Sequence, residues 1–275
     1  MLVIIIITMK ITCIICITLV VCTLVQPASA FEVGITPDSP LYPIKRILEN
    51  LDLLLTFDEV AKVEKLLKYA KLRLMEAEKM AEEGKTEYVG DLLRDYQMNL
   101  QNAVELMKSA KSSDSSKIAE MIVNASIDNL KILDSISRLL PNETAIHVAK
   151  LNTIRQDEMA VLILKDTSPD DAYRLSLRLT NELLKIANEK VGRGENVEYL
   201  IKESNRMMKE SEEILKETKS GTVNPEEIVE EIESIIDEAT NISIMENPEK
   251  RNVTMDIIEK GLKIYKKLGI QSVVR

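Results

Sequence analysis

The chain has 275 residues, 45% hydrophobic and 29% charged, which is enough apolar material for one or two packed domains rather than an acidic disordered polymer. With no Trp, two Phe, eight Gly, eight Pro and a single His, it lacks the raw materials of all-β and dinucleotide-binding folds and most of those for acid–base pairs, zinc sites or phosphate loops. A net charge of −9 repels phosphate backbones and anionic headgroups, which argues against nucleic acid as a partner.

The first 30 residues read as an export signal. Residues 11–25 form an uncharged apolar run, Lys10 supplies the positive flank, and Pro27-Ala28-Ser29-Ala30 places small residues before a cleavage point at Phe31. The apolar residues ahead of Lys10 fit this order poorly, and a start at Met9 restores it. Cleavage between Ala30 and Phe31 gives a secreted or envelope-associated protein. Retention leaves residues 2–25 near membrane-spanning length, and this segment is then the sole membrane contact. Cys13, Cys16 and Cys22 all lie in the segment, so the mature chain has no thiol chemistry; its 35 basic residues against 45 acidic ones give −10.

Residues 31–37 are a short leader, after which Ser39-Pro40 reads as a helix cap with proline at the first helical position. Leu41, Ile44, Leu48, Leu51 and Leu55 step by three and four, predicting a first helix with one apolar stripe that ends near Thr56, which then caps the second. In that second helix Val60, Val63, Leu67, Ala70, Leu74, Ala77 and Ala81 make a seam that stops at Gly84. The pattern resumes with Val89, Leu93, Tyr96, Leu100, Ala103, Met107 and Ala110, so the two helices fold back as an antiparallel hairpin. Residues 38–112 thus form a three-helix unit, and 113–275 a C-terminal helical region.

That region reads as further helices over 117–140, 144–165, 169–190 and 197–219, with Gly192-Arg193-Gly194 closing the third and Gly221 the fourth. Asn224-Pro225-Glu226-Glu227 opens a helix to about Thr240, and a last one runs from about Pro248 to Leu268. No strand pattern occurs. The expected fold is all-α, built from antiparallel helical hairpins packed as a bundle or an extended stack. A shift of 111 residues superposes the hairpins, residues 66–109 on 177–220, with eight identities over 44 positions, a level that shared Leu/Glu/Lys composition can also produce.

The candidate chemistry is sparse. His147 has no Glu-x-x-His partner, and Gly192-Arg193-Gly194 lacks the third small residue and the preceding strand of a dinucleotide loop. The acidic run from Glu226 to Glu238 spreads around a helix rather than wrapping a cation, and Met207-Met208 sit at apolar positions suited to core filling. No catalytic, metal or cofactor site is expected. Four Asn-x-Ser/Thr sequons occur; Asn124 falls inside a helix, while Asn142, Asn241 and Asn252 are candidates for glycosylation, the first two in expected loops.

The run Ser39-Pro40-Leu41-Tyr42-Pro43-Ile44-Lys45-Arg46, followed by Leu55-Thr56-Phe57-Asp58, Lys62, Ala70 and Arg73-Leu74, resembles the family known as domain of unknown function 5667 over about residues 36–110. The resemblance implies an exported or membrane-attached helical protein and brings no activity or ligand. In this run Pro40 and Pro43 fix the start of the first helix, Leu41 and Tyr42 are expected to pack as a staple against the hairpin, and Lys45 and Arg46 are available to solvent or acidic neighbours. The functional expectation is a non-enzymatic structural or interaction module of the cell envelope, with a protein partner or self-association through the helix seams. A membrane-anchored regulatory or sensing subunit is the alternative.

Overall fold

The computed structural model describes residues 34–141, 144–217, 225–245 and 251–267. The export segment with Ala30 and Phe31, and Asn142, Gly221, Asn224 and Pro248, lie outside the described residues. Ile35–Arg275 form one compact unit, separate from Met1–Gly34.

The fold is all-α. A turn through Ser39 and Pro40 leads into α1 (Tyr42–Leu54), and α2 (Glu59–Glu82) and α3 (Val89–Ser109) make the first hairpin. They are followed by α4 (Ser112–Leu139), α5 (Thr144–Thr167), α6 (Pro169–Val191), α7 (Glu198–Glu217), α8 (Pro225–Met245) and α9 (Arg251–Lys267). Consecutive helices pair as α2–α3, α4–α5, α6–α7 and α8–α9, and the pairs stack so that α4 lies along α2, α5 along α3, α8 along α6 and α9 along α7, with α5 meeting α6 at the middle of the stack. The hairpin-stack expectation holds, and residues 38–112 do not stand apart from 113–275: one apolar core runs from Val63 to Tyr265.

The turns follow from local chemistry. Gly84 adopts φ +73°, and the amide of Lys85 reaches back to the Met80 carbonyl at 2.8 Å, closing α2 as a left-handed cap. Gly194 plays the same part after α6 at φ +73°. Four expected boundaries move. Helix α1 starts at Tyr42 with Leu41 at its cap and not at Pro40, and α4 starts at Ser112 and not at Lys117, taking in the polar break expected at 112–116. Asp58, not Thr56, caps α2, accepting from the Ala61 amide at 2.8 Å, because the Thr56 hydroxyl is spent on the Asp52 carbonyl at 2.6 Å. Helix α8 continues past Thr240 to Met245, because Ile242 extends its buried stripe of Ile228, Ile232, Ile235 and Ala239. Asn241 is therefore exposed on a helix and not in a loop, and Asn252 sits exposed in the first turn of α9.

The two seams read from the first hairpin are consumed inside the stack. Leu74 is 0% exposed and Leu100 1%, so substitution there tests the core. Leu100→Ala is expected to lower the unfolding free energy by about 2–5 kcal/mol in urea titration, the range for a leucine truncated in a close-packed interior.

Candidate interaction site

Helix α1 sits on the stack the wrong way round for an ordinary amphipathic helix. Its apolar stripe points away from the protein: Leu41, Ile44, Ile47, Leu48, Leu51, Leu54, Leu55 and the following Phe57 are between 42% and 88% exposed. The expected staple therefore does not form at Leu41. Its polar face points inward and carries Tyr42, Lys45, Arg46, Glu49 and Asp52, grouped on one side of the helix by steps of three and four. Glu49 is the one buried residue of α1.

The reason lies on α2. Its Val63, Leu67, Ala70, Leu74 and Ala77 are buried in the shared core, while a second stripe at helical spacing, Lys65, Tyr69, Arg73 and Glu76, presents polar groups to α1. At the centre is the Arg73 guanidinium, 0% exposed, which donates to Glu49 Oε1 at 2.7 Å and to the Tyr42 hydroxyl at 2.5 Å and lies 3.3 Å from Glu76 Oε2. The Tyr42 hydroxyl in turn donates to Glu76 Oε2 at 2.8 Å. Burial raises the Tyr42 phenol above its ordinary pKa and keeps it a donor.

Lys45 pairs with Glu76 and donates to the Ile35 carbonyl at 2.9 Å, which ties the leader to the same centre. Arg46 bridges Glu49 at 3.0 Å and Asp95 of α3 at 2.8 Å. At the far end Asp52 accepts from Lys65 at 2.5 Å and from the Tyr69 hydroxyl at 2.7 Å, and these bonds together hold its carboxyl below the usual range against the opposing effect of burial. The proline-containing run thus supplies a clamp: Ser39 and Pro40 shape the approach, Pro43 sits in the first turn of α1, and Tyr42, Lys45 and Arg46 make the contacts. Sequence reading singled out Tyr42, Lys45, Arg46 and Arg73 but missed Glu49, Asp52, Glu76 and Asp95. The signal was the spacing of Tyr42, Lys45, Glu49 and Asp52.

His147 lines a broad groove between the ends of α5 and α7, where its ring meets Tyr199 edge-on at 5.7 Å. The carboxylates near it are held by lysines: Glu195 by Lys190 at 2.5 Å, Glu198 by Lys202 at 2.7 Å, and Asp134 by Lys150 at 2.5 Å. Burial draws the Lys150 ammonium below its usual pKa, with Asp134 opposing. In the acidic run on α8, Glu231 accepts from Asn181, Glu238 from Asn188 and Glu233 from Tyr265. Met207 and Met208 are buried in the core. Deeper in the core, Asp157 of α5 is fully buried beside Ser126 and close to Asn129, Thr153 and Tyr96.

Residues 34–159 match the family described as Domain of unknown function (DUF5667), from the leader through α1, the α2–α3 hairpin and α4 into α5. This stretch resembles that family. The match extends well past residue 110, in keeping with the packing of α4 and α5 onto the first hairpin. Two solved structures share the architecture. One is the crystal structure of the de novo designed helical repeat protein DHR64, with 19% identity, a TM-score of 0.50, and 77% of this chain and 96% of that one covered. The other is the DHF58 filament, with 19% identity, a TM-score of 0.51 and the same coverage. At that identity the likeness speaks for the fold alone. No curated protein matches the chain.

Proposed function

We propose that the protein is a non-enzymatic interaction module of the cell envelope, exported by the segment ending at Ala30 and Phe31, which docks a partner helix on the outward face of α1. The carrying observation is the inversion of that helix. A fold with a complete core elsewhere has turned seven leucines and isoleucines to solvent and holds them there by burying charged side chains. Contiguous apolar patches of more than a few hundred Å² are rare on monomeric proteins and mark interaction surfaces. The DUF5667-like segment contains both the clamp and the face it presents, so the likeness and the geometry bear on the same element.

A membrane-anchored regulatory or sensing subunit is the second reading, favoured by the length and apolarity of residues 2–25. No helix among the described residues is long and apolar enough to cross a membrane. N-terminal sequencing of the exported protein separates the two: a start at Phe31 removes the anchor. Docking itself is tested by placing a photo-crosslinking amino acid at Ile47 in the host cell, with Glu105 on the solvent side of α3 as control. A covalent product with a polypeptide at Ile47 and none at Glu105 is the expected result; an Ile47 chain that crosslinks to nothing contradicts the proposal.

A further inference from the structure

Building on that reading, we infer that the partner helix is α1 of a second copy of this chain, the two packing antiparallel across a two-fold axis near Leu48. The phasing of the face points to a helix as occupant. Leu41, Ile44, Leu48, Leu51 and Leu55 repeat at three and four residues, the a and d positions of two heptads, and Ile47 and Leu54 both fall at g. Such a seam has a register that another helix can occupy, whereas a lipid surface asks only for an apolar side.

Charge makes the same choice. Helices that lie on membranes carry Lys and Arg along the rim of the apolar face. Here Lys45 and Arg46 are turned inward into ion pairs with Glu76, Glu49 and Asp95, and the exposed residues of α1 outside the stripe, Pro43 and Asn50, are not basic. A chain of net charge −9 is repelled by an anionic bilayer, and α1 itself turns no exposed Lys or Arg toward one.

The second copy is favoured by self-complementarity. No charged side chain interrupts the stripe, so an isologous contact sets leucine and isoleucine against leucine and isoleucine with no unpaired polar group to bury. Eight side chains at 42–88% exposure expose roughly 700 Å² per copy, a ceiling on what pairing buries, which sets the contact toward the small end of specific interfaces. Two copies of a net negative chain repel at long range, and salt screens that repulsion, so the pairing tightens as ionic strength rises.

Sedimentation of the chain from Phe31 onward tests the inference, since that chain contains all of the compact unit Ile35–Arg275. The expected result is a reversible dimer that tightens between about 50 and 500 mM salt, with a dissociation constant raised at least ~100-fold by Leu48→Glu with Leu51→Glu. Both side chains are already exposed, so the double variant is expected to keep its helicity, and its unfolding midpoint when both proteins are compared at concentrations where they are monomeric, and a loss of dimer cannot be ascribed to misfolding. A monomer at about 100 μM, or a dimer unmoved by the double variant, overturns the inference. The Ile47 crosslink then shows which idea has failed. A product of two copies agrees with the inference, and a product with a different polypeptide overturns the second copy while leaving docking on α1 intact. With no product and α1-dependent flotation on phosphatidylcholine vesicles, both fall.

Discussion

Arg73→Ala is expected to release α1 from the stack, with amide hydrogen-exchange protection in residues 42–54 falling at least ~100-fold while the helices that follow keep theirs. The guanidinium is fully buried and contacts Glu49, Glu76 and Tyr42 together. Removing it leaves the Glu49 and Glu76 carboxylates in a low-dielectric site with Lys45 and Arg46 as their remaining cations. Breaking a buried pair from one side costs about 3–5 kcal/mol, because the abandoned charge keeps its desolvation penalty. The chain has a way to relieve that penalty: α1 lifts off and both carboxylates are rehydrated. Its own apolar residues contribute almost nothing to the core, so the loss is confined to α1. Arg73→Lys is expected to recover only part of the protection, since one ammonium cannot span Glu49 and Tyr42 as the planar fork does. Protection lost equally across all helices would mean that the clamp belongs to the global core.

Asp157→Asn is expected to stabilise the protein above the ordinary carboxylate range, by an amount that grows with pH until the raised native pKa is passed. Asp157 is 0% exposed, neither carboxyl oxygen has a well-formed hydrogen bond, and the neighbouring Ser126 hydroxyl is also unpartnered. Burial raises its pKa well above the ordinary carboxylate value. Below the unfolded pKa the residue is protonated in both states and costs nothing. Above it the unfolded chain releases the proton while the native state keeps it, so native stability falls by about 1.4 kcal/mol per pH unit until pH passes the raised native value. Asparagine does not titrate, so that slope disappears. Urea midpoints for the two proteins, followed upward from about pH 4, are expected to diverge with the variant ahead and the gap to level off once the native carboxyl ionises. A constant gap would show that Asp157 is ionised in the native state.

Most of the architecture is legible in the sequence because hairpin chemistry is local. The seams of α2 and α3, the left-handed cap at Gly84 and the stop at Gly194 each rest on a handful of neighbouring residues. The orientation of α1 is a different kind of fact. Periodicity shows that a helix has two faces and leaves open which one meets the protein; the usual inference, apolar side inward, assumes that the receiving surface is apolar. Here the receiving surface is Lys65, Tyr69, Arg73 and Glu76, because α3 and α4 have already covered the apolar sides of α2. That could be read only by matching the polar spacing on α1 to the polar spacing on α2, two stripes a turn and a loop apart. The cap at Asp58 was missed for a smaller reason of the same sort, since the Thr56 hydroxyl had a nearer acceptor in Asp52. The buried Asp157 had no sequence signal at all: its burial depends on how α4 and α5 come together.

The inversion of α1 is tested most directly by two adjacent alanines, Leu48→Ala and Glu49→Ala, compared by exchange protection of α1 and by urea unfolding at concentrations low enough to keep the chain monomeric. With the polar face inward, Glu49→Ala strands the Arg73 guanidinium and is expected to cost about 3 kcal/mol of α1 docking. Leu48→Ala truncates an exposed side chain outside the core and is expected to cost no more than about 1 kcal/mol, well below the glutamate. The opposite ranking, with the leucine costly and the glutamate neutral, would place the apolar stripe against the stack and contradict the clamp and the interaction face that depends on it.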